Sequence, residues 1–192
     1  MKVSFIILAG GKSERMGRDK RYIKYKGKYF IEHAVRLAEK ISDDVIISVD
    51  RKENFGKYRV VEDIINVRAP IIGLFSSMKH CKYEYTCVIP CDVPLARSGV
   101  FRYLIKKARG VDGAVPRNGK YIEPLIAVYK VKSMLLACKN AIAMGEYRLY
   151  KVIRNLNINF VEFDELKRFD PDLSTFRNIN TPKDLEELES EG

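Results

Sequence analysis

Two glycines near the start of the chain are followed by a charged stretch. Gly10 and Gly11 directly follow the apolar residues 5–9, and the stretch after them carries Arg15 and Lys20. Glycine has no Cβ, so backbone N–H groups in such a turn can close around phosphate oxygens. Arg15 can donate to two phosphate oxygens at once, and Lys20 supplies a compact positive charge. These residues predict a polyphosphate-binding loop.

Two common phosphate motifs do not describe this loop. Gly11-Lys12-Ser13 resembles the end of a Walker A loop, but that motif needs a glycine five residues earlier, where this chain has Ile6. The dinucleotide-binding fingerprint fails because Lys12 stands at its second glycine. The remaining alternative is an ordinary turn after a strand, with solvated charges.

A carboxylate ends a second apolar segment. Asp92 follows residues 85–90, which are typical of a buried strand, and precedes a turn at Pro94. A lone aspartate in this position is often only a helix cap. In an α/β sheet, however, ligands bind at the carboxyl ends of the strands, so Asp92 would lie opposite the glycine turn. A carboxylate there is a suitable ligand for Mg²⁺.

The elements that must position these groups alternate between strand and helix. Strand patterns cover residues 2–8, 44–49, 58–61, 85–90, 113–116, 122–129 and 159–163. Helical patterns cover residues 30–41, 70–80, 99–108, 133–143, 148–155 and 181–189. This order predicts an α/β fold with a mostly parallel central sheet, helices on both faces and an antiparallel strand in the C-terminal half.

Length and composition predict one domain of 192 residues with an ordinary core, at 46% hydrophobic residues. The longest apolar run, residues 5–9, is too short to span a bilayer and lacks the features of a secretory signal, so a cytoplasmic location is expected. Four scattered cysteines suggest buried or incidental thiols, not a disulfide scaffold or a zinc site. They are Cys81, Cys87, Cys91 and Cys138.

The formal net charge of +10 favours anionic ligands. Nucleic acid, acidic membranes and phosphorylated small molecules all qualify, and a Lys-rich solvated surface is a further explanation. The basic residues form no long block, and their densest stretch, residues 18–28, directly follows the glycine loop. We therefore expect phosphate binding there, with neither nucleic acid nor a membrane as a partner.

Residues 8–20 (LAGGKSERMGRDK) closely resemble the L-x-G-G-x-S-x-R-M-G-x-D-K signature of the molybdenum cofactor guanylyltransferases. The resemblance implies a single-domain Rossmann-like nucleotidyltransferase fold, with a nucleotide-binding half at 1–110 and an acceptor-binding half at 111–192. It implies that the loop wraps the triphosphate of GTP, with Arg15, Lys20 and Asp92 as catalytic residues. The GTP-binding residues of the first loop would be Leu8, Ala9, Gly10, Gly11 and Lys20.

Asp92 matches the family's C-D-M-P, with Val93 in place of the methionine, which implies that Asp92 binds both the nucleotide and Mg²⁺. Asp63 and Gly73 match a stretch of the family that faces the nucleoside, where Gly73 would let a helix N-terminus approach the ligand. Ala69 replaces the first glycine of that stretch. Asp50 stands where relatives often have asparagine beside the base, and it could accept hydrogen bonds from guanine.

Two segments of the second half resemble the family's acceptor-binding residues. Glu123 and Pro124 match an E/H-P-L-x-A-x-Y strand that lines the acceptor pocket. Asn178 and Asn180 belong to a segment similar to F-x-N-I-N-T-P-E-D-L and could hydrogen-bond a polar acceptor. They could equally well only shape the turn into a capped helix.

The resemblance implies that a phosphate of molybdopterin, with or without molybdenum, attacks the α-phosphate of GTP and releases pyrophosphate. Molybdoenzymes or other cofactor-biosynthesis proteins are candidate recipients of the product. A related enzyme that uses CTP, or a sugar or lactate phosphate, is an alternative, although Ala9-Gly10-Gly11 favours the guanylyl branch over the cytidylyl L-A-A-G. A GTP-binding protein that delivers cofactor without catalysis is another.

Overall fold

In the computed structural model, which describes residues 1–10, 16–17 and 19–190, short apolar runs form the strands of a central sheet, and two short strands, Lys24–Tyr25 and Lys28–Tyr29, form a separate two-stranded hairpin. The strands are β1 (Ser4–Leu8), β2 (Lys24–Tyr25), β3 (Lys28–Tyr29), β4 (Val45–Val49), β5 (Arg59–Glu62), β6 (Tyr85–Pro90), β7 (Gly113–Asn118), β8 (Tyr121–Ile122), β9 (Ala127–Lys130) and β10 (Ile158–Glu162). The α-helices are α1 (Phe30–Glu39), α2 (Pro70–Met78), α3 (Ser98–Lys107), α4 (Val131–Ala143), α5 (Leu149–Ile153), α6 (Phe163–Leu166) and α7 (Pro182–Ser190). Two 3-10 helices cover Lys20–Tyr22 and Ser174–Phe176.

The main sheet has the strand order β10-β7-β9-β6-β1-β4-β5, with β8 paired to β7. Strand β1 pairs in parallel with β4 and β6, β4 with β5, and β7 with β10. Strand β9 is antiparallel to both of its neighbours, β6 and β7, and β8 is antiparallel to β7. The predicted mostly parallel sheet with an antiparallel strand in the second half is therefore confirmed, and the sheet continues from the first half of the chain into the second.

Helices cover both faces of this sheet, as the sequence predicts. On one face, Phe5 and Ile7 of β1 pack in a buried cluster with residues of α1 and α3, such as Ala38 and Phe101. On the other face, Ile6 packs with residues of α2, α4 and α5. Successive residues of a strand point to opposite faces, so a run of apolar residues is what a strand covered on both sides requires.

A third apolar cluster joins the beginning of the chain to its end. Met16, Ile23 and Phe30 are buried against Leu185 and Leu188 of α7. This packing holds the C-terminal segment beside the segment that contains Lys20. Among the helices that the structure describes, none has both the length and the hydropathy of a membrane-spanning helix.

Two local features differ from the sequence-based expectation. The predicted strand 122–129 is interrupted, because Glu123 and Pro124 leave the ladder between β8 and β9, and proline cannot donate a ladder hydrogen bond. The hairpin of β2 and β3 was not predicted. It turns at Lys26 and Gly27, which both have positive φ, and strands of two residues are too short to produce a period.

The cysteines are free thiols in the described structure. Cys87, Cys91 and Cys138 are buried, and Cys81 is half-buried. Burial raises the pKa of the Cys81 thiol to about 11, so this thiol is protonated at neutral pH.

Candidate active site

The register of the sheet brings the ends of three strands to one edge. Leu8, the last residue of β1, pairs with Ser48 of β4 and with Pro90 of β6. Backbone hydrogen bonds continue this alignment beyond the strands, because Ala9 N donates to Ser48 O over 2.8 Å and Cys91 N donates to Leu8 O over 3.1 Å. The residues that follow the three strands are therefore neighbours in space.

A cleft of about 770 Å³ opens at this edge, and we call it the main cleft. Eight of the residues predicted to bind a nucleotide line it. They are Leu8, Ala9, Gly10, Lys20, Asp50, Asp63, Gly73 and Asp92. The two other predicted residues of the loop, Gly11 and Arg15, lie outside the described residues.

Lys20 and Asp92 line the main cleft, and Asn180 contacts Lys20, although the three residues are distant in the sequence. Lys20 Nζ donates to Asp92 Oδ2 over 2.9 Å and to Asn180 Oδ1 over 2.5 Å. The backbone N–H of Ile179 donates to the carbonyl oxygen of Asp92 over 2.9 Å, which ties the segment before α7 to the end of β6. The side chains of Lys20 and Asp92 are 18% and 17% exposed, so this ion pair is largely shielded from solvent.

The second carboxylate oxygen of Asp92 is buried, and it has no hydrogen-bond partner within the part of the chain that the structure describes. A buried acceptor without a partner is costly, so Oδ1 is suited to bind a cation. Among the described residues there is no group of three or more His, Cys, Asp or Glu side chains that could hold a metal ion. A metal ion at Asp92 would therefore take most of its ligands from bound phosphate and water, as Mg²⁺ commonly does.

Two further carboxylates, Asp50 and Asp63, lie on another wall of the main cleft. Burial, followed by the negative charge of Asp50, raises the pKa of Asp63 to about 6. The hydroxyl of Ser48 donates to Asp63 Oδ1 over 3.5 Å and partly opposes this rise. This wall offers hydrogen-bond acceptors to a ligand that carries N–H donors.

Gly73 lies in the first half of α2, and its lack of a side chain makes room for this wall. A Cβ there would lie 2.6 Å from Ser48 Oγ and 3.3 Å from Asp63 Oδ1. Gly10 is also close to its neighbours, since a Cβ would lie 3.1 Å from the backbone nitrogen of Asp50. Gly73 lines the main cleft, and its predicted role of letting the helix approach a ligand stays a prediction.

An ion-pair network beside the main cleft was missed by the sequence analysis. The buried guanidinium of Arg21 donates through Nε to Asp19 Oδ1 over 2.9 Å, and its Nη1 pairs with Glu53. Tyr22 also donates its hydroxyl to Glu53. The network connects the segment of Lys20 to the segment that follows Asp50. Contacts between segments so far apart leave no local signal in the sequence.

A second pocket, of about 860 Å³, adjoins the main cleft. Glu123 and Pro124 line it, and Pro70 and Leu125 line both cavities. The predicted acceptor residues are thus distributed over two places, because Asn180 lies apart from this pocket and contacts Lys20, a residue of the main cleft. Asn178 is exposed and is not among the described lining residues of either cavity.

A mostly parallel sheet whose strand ends carry a glycine and carboxylates, with a lysine in the same cleft, is typical of nucleotide-binding α/β proteins. Residues 5–159 match the family of the MobA-like NTP transferase domain, and the chain belongs to this family.

Individual relatives agree with this assignment over nearly the whole chain. A probable molybdenum cofactor guanylyltransferase of Peptoclostridium acidaminophilum is 31% identical over 95% of this chain and 86% of its own length. A protein of the same name from Clostridium perfringens is 32% identical over 98% of this chain and 96% of its own length. The crystal structure of molybdopterin-guanine dinucleotide biosynthesis protein A from Archaeoglobus fulgidus has the same fold. Its TM-score is 0.87 at 24% identity, and the match covers 98% of this chain and 97% of that one.

Proposed function

We propose that this chain transfers GMP from GTP to the phosphate of molybdopterin, with or without bound molybdenum. The observation that carries the proposal is the meeting of Lys20 and Asp92 in a cleft at the end of β1, where the glycine turn begins. Membership of the MobA-like NTP transferase family and the names of the relatives support guanylyl transfer to the molybdenum cofactor.

The reaction requires little covalent chemistry from the protein. An oxygen of the acceptor phosphate forms a bond to the α-phosphorus of GTP, and the bond from that phosphorus to the α,β-bridging oxygen breaks. Pyrophosphate leaves with the electron pair, and a pyrophosphate-linked dinucleotide results. Because the acceptor phosphate is already an anion near neutral pH, no side-chain base is needed. Positioning and charge neutralisation by the protein account for the rate.

Lys20 and Arg15 are the proposed cationic groups on the triphosphate. Lys20 lines the main cleft, and its ammonium group donates to Asp92. A phosphate bound beside Asp92 would therefore be close to the positive charge of Lys20. Arg15 belongs to the proposal through the resemblance of its loop. The backbone of residues 8–11 would close around the phosphates, and Gly10 lines the cleft as this requires.

Asp92 is the proposed ligand of Mg²⁺ through its unpartnered oxygen Oδ1. A divalent ion bound there would neutralise charge on the triphosphate and polarise it towards attack. Asp50 and Asp63 are the proposed acceptors for the N–H groups of guanine. Their position on the wall of the main cleft formed by the ends of β4 and β5 supports this assignment.

The acceptor would enter from the side of the second pocket. Glu123 and Pro124 line that pocket, and Asn180 stands beside Lys20 where an acceptor phosphate would have to arrive. A role for Asn178 in acceptor binding stays a prediction, and so do a cytoplasmic location and the delivery of the product to a molybdoenzyme.

A transfer assay with purified protein tests the proposal. GTP, CTP and ATP are each supplied with Mg²⁺ and molybdopterin, and pyrophosphate release is measured together with the dinucleotide product. We expect GTP to be the preferred donor. Preference for CTP, or turnover only with a sugar phosphate, would establish the alternative transferase. GTP binding without pyrophosphate release for any acceptor would instead favour a delivery protein.

A further inference from the structure

Glu123 is a buried carboxylate without a basic partner in the described structure. The residue is 7% exposed and lies on the wall of the second pocket. Its Oε2 accepts a hydrogen bond from the hydroxyl of Tyr121 over 2.6 Å, and its Oε1 accepts one from Leu125 N over 3.3 Å. The ion pairs found among the described residues do not include Glu123, although each of its oxygens can accept another hydrogen bond. A buried carboxyl group with unused acceptor capacity is stabilised by further N–H donors.

The walls of the second pocket suit a flat, polar ring. Four aromatic side chains and several aliphatic ones line it. The aromatic residues are Tyr121, Tyr147, Tyr150 and Phe160. Basic side chains also line the pocket, and two of them lie over aromatic rings, Arg154 over Tyr150 and Arg117 over Phe160. Aromatic and guanidinium faces are the surfaces on which a heteroaromatic ring stacks.

The chemistry of the acceptor supplies the missing donors. A pterin contains a 2-amino-4-oxopyrimidine ring, whose ring N–H and amino group point in the same direction and form a fork of two donors. A carboxylate accepts two parallel N–H bonds from such a fork, as it does from a guanidinium. An aliphatic occupant, or a ring with a carbonyl oxygen in place of the amino group, would leave Glu123 unpaired or facing another acceptor.

We propose that the second pocket holds the pterin ring of the acceptor and that Glu123 binds its 2-amino-4-oxopyrimidine edge. The inference rests on the proposed function, because that function makes the acceptor a pterin. Pro70 and Leu125 line both cavities, so an acceptor seated in the second pocket can extend its phosphate into the main cleft beside Lys20. The arrangement assigns ring recognition and phosphate transfer to separate cavities.

Direct binding of simple pterins tests this assignment without the transfer reaction. Wild-type protein is titrated with 6-hydroxymethylpterin and with 6-hydroxymethyllumazine, in which a carbonyl replaces the amino group, and ligand fluorescence is recorded. We expect the pterin to bind at least about tenfold more tightly, which is the effect of one charge-assisted hydrogen bond. In Glu123→Gln the preference is expected to fall below about threefold, because the amide presents a donor to the fork.

Glu84→Gln is the matched control. Glu84 is an exposed carboxylate that pairs with Lys130 at the other end of β9, so its replacement should leave the preference for the pterin unchanged. The KM for GTP should be the same in both variants and in the wild type. If Glu123→Gln does not fold, the wild-type comparison of pterin with lumazine still decides the matter.

Equal affinities of wild-type protein for pterin and lumazine would overturn the inference, as would an undiminished preference in a folded Glu123→Gln variant. Either result is compatible with normal GMP transfer and leaves the proposed function intact. Conversely, a strong pterin preference that depends on Glu123, in a protein that transfers no nucleotide to molybdopterin, would support the pterin pocket and contradict the proposed reaction.

Discussion

The main cleft and the second pocket are built in different ways. The main cleft is formed largely by backbone at the ends of parallel strands and by the first half of α2, with a tight approach at Gly10 and no room for a Cβ at Gly73. The second pocket is formed by side chains from the loop between β8 and β9, from α5 and from β10. A backbone cradle suits the triphosphate, which is the same in every nucleotide, whereas side chains suit the selection of one acceptor.

Replacement of Asp92 is expected to have the largest effect, and only in the main cleft. Asp92→Ala should lower turnover by about a thousandfold or more, because it removes the proposed metal ligand and the partner of Lys20. GTP affinity should change by less than about tenfold, since the loop and the base-binding wall remain. Asp164→Ala, which removes an exposed carboxylate paired with Lys167, is the control. Near-normal turnover in Asp92→Ala would remove Asp92 from the mechanism.

A side chain at Gly73 should damage the wall of the main cleft and leave the second pocket intact. In Gly73→Ala the new Cβ meets Ser48 Oγ at 2.6 Å, so we expect a loss of stability of about 1–3 kcal/mol and weaker GTP binding. Unfolding in urea and titration with GTP measure the two effects. The double variant Gly73→Ala with Ser48→Ala removes the closest atom and should recover most of the stability. No recovery would mean that another contact is responsible.

The pH dependence of GTP binding should distinguish the main cleft, which contains Asp63, from the second pocket, which does not. The pKa of Asp63 is raised to about 6, and under the proposed function the ionised form would accept hydrogen bonds from guanine. GTP affinity should therefore rise by about tenfold between pH 5 and pH 7, and this rise should be absent in Asp63→Asn. The KM for the acceptor should be the same in wild type and Asp63→Asn. An unchanged pH profile for GTP in the variant would show that Asp63 does not face the base.

The same raised pKa has a consequence for stability with a definite sign. The folded protein holds the Asp63 proton more tightly than the unfolded chain does, so this stabilisation is fully present below the ordinary aspartate pKa of 3.8 and is lost as pH rises through about 6. Relative to Asp63→Asn, the melting temperature of the ligand-free wild type should therefore fall between pH 4 and pH 7. A difference that is constant with pH would contradict the proposed environment of Asp63.

The smallest effect is expected at the ion-pair network beside the main cleft. Glu53→Gln weakens the partner of Arg21, which connects the segment of Lys20 to the segment after Asp50. The KM for GTP should rise by only about two- to threefold, because Arg21 keeps its second carboxylate partner, Asp19, when Glu53 is neutral. Glu39→Gln, at an exposed carboxylate that pairs with Lys57, should have no effect. Equal KM values in the two variants would leave the network without a role in binding.

The contrast between the two cavities also explains how far the sequence could predict the structure. The positions of Gly10 and Asp92 follow from strand periods and from the rule that parallel strands end at one edge, whereas Lys20 was predicted from its charged loop and the resemblance of that loop to the family signature. The second pocket depends on where α5 and the interrupted strand at Glu123 come to lie, which is set by packing across the sheet. No local sequence pattern predicts the ion pair between Arg21 and Glu53 or the short hairpin at Lys26.

The contact between Lys20 and Asp92 also bears on the charge balance of the main cleft. Asp92, Asp50 and Asp63 share this cavity, and their negative charges repel one another. The ammonium of Lys20 balances one of these charges. Under the proposed function a phosphate would replace the carboxylate as the partner of this ammonium, and Asp92 would be left to hold the metal ion. The lysine would then have an anionic partner both before the nucleotide binds and after pyrophosphate leaves.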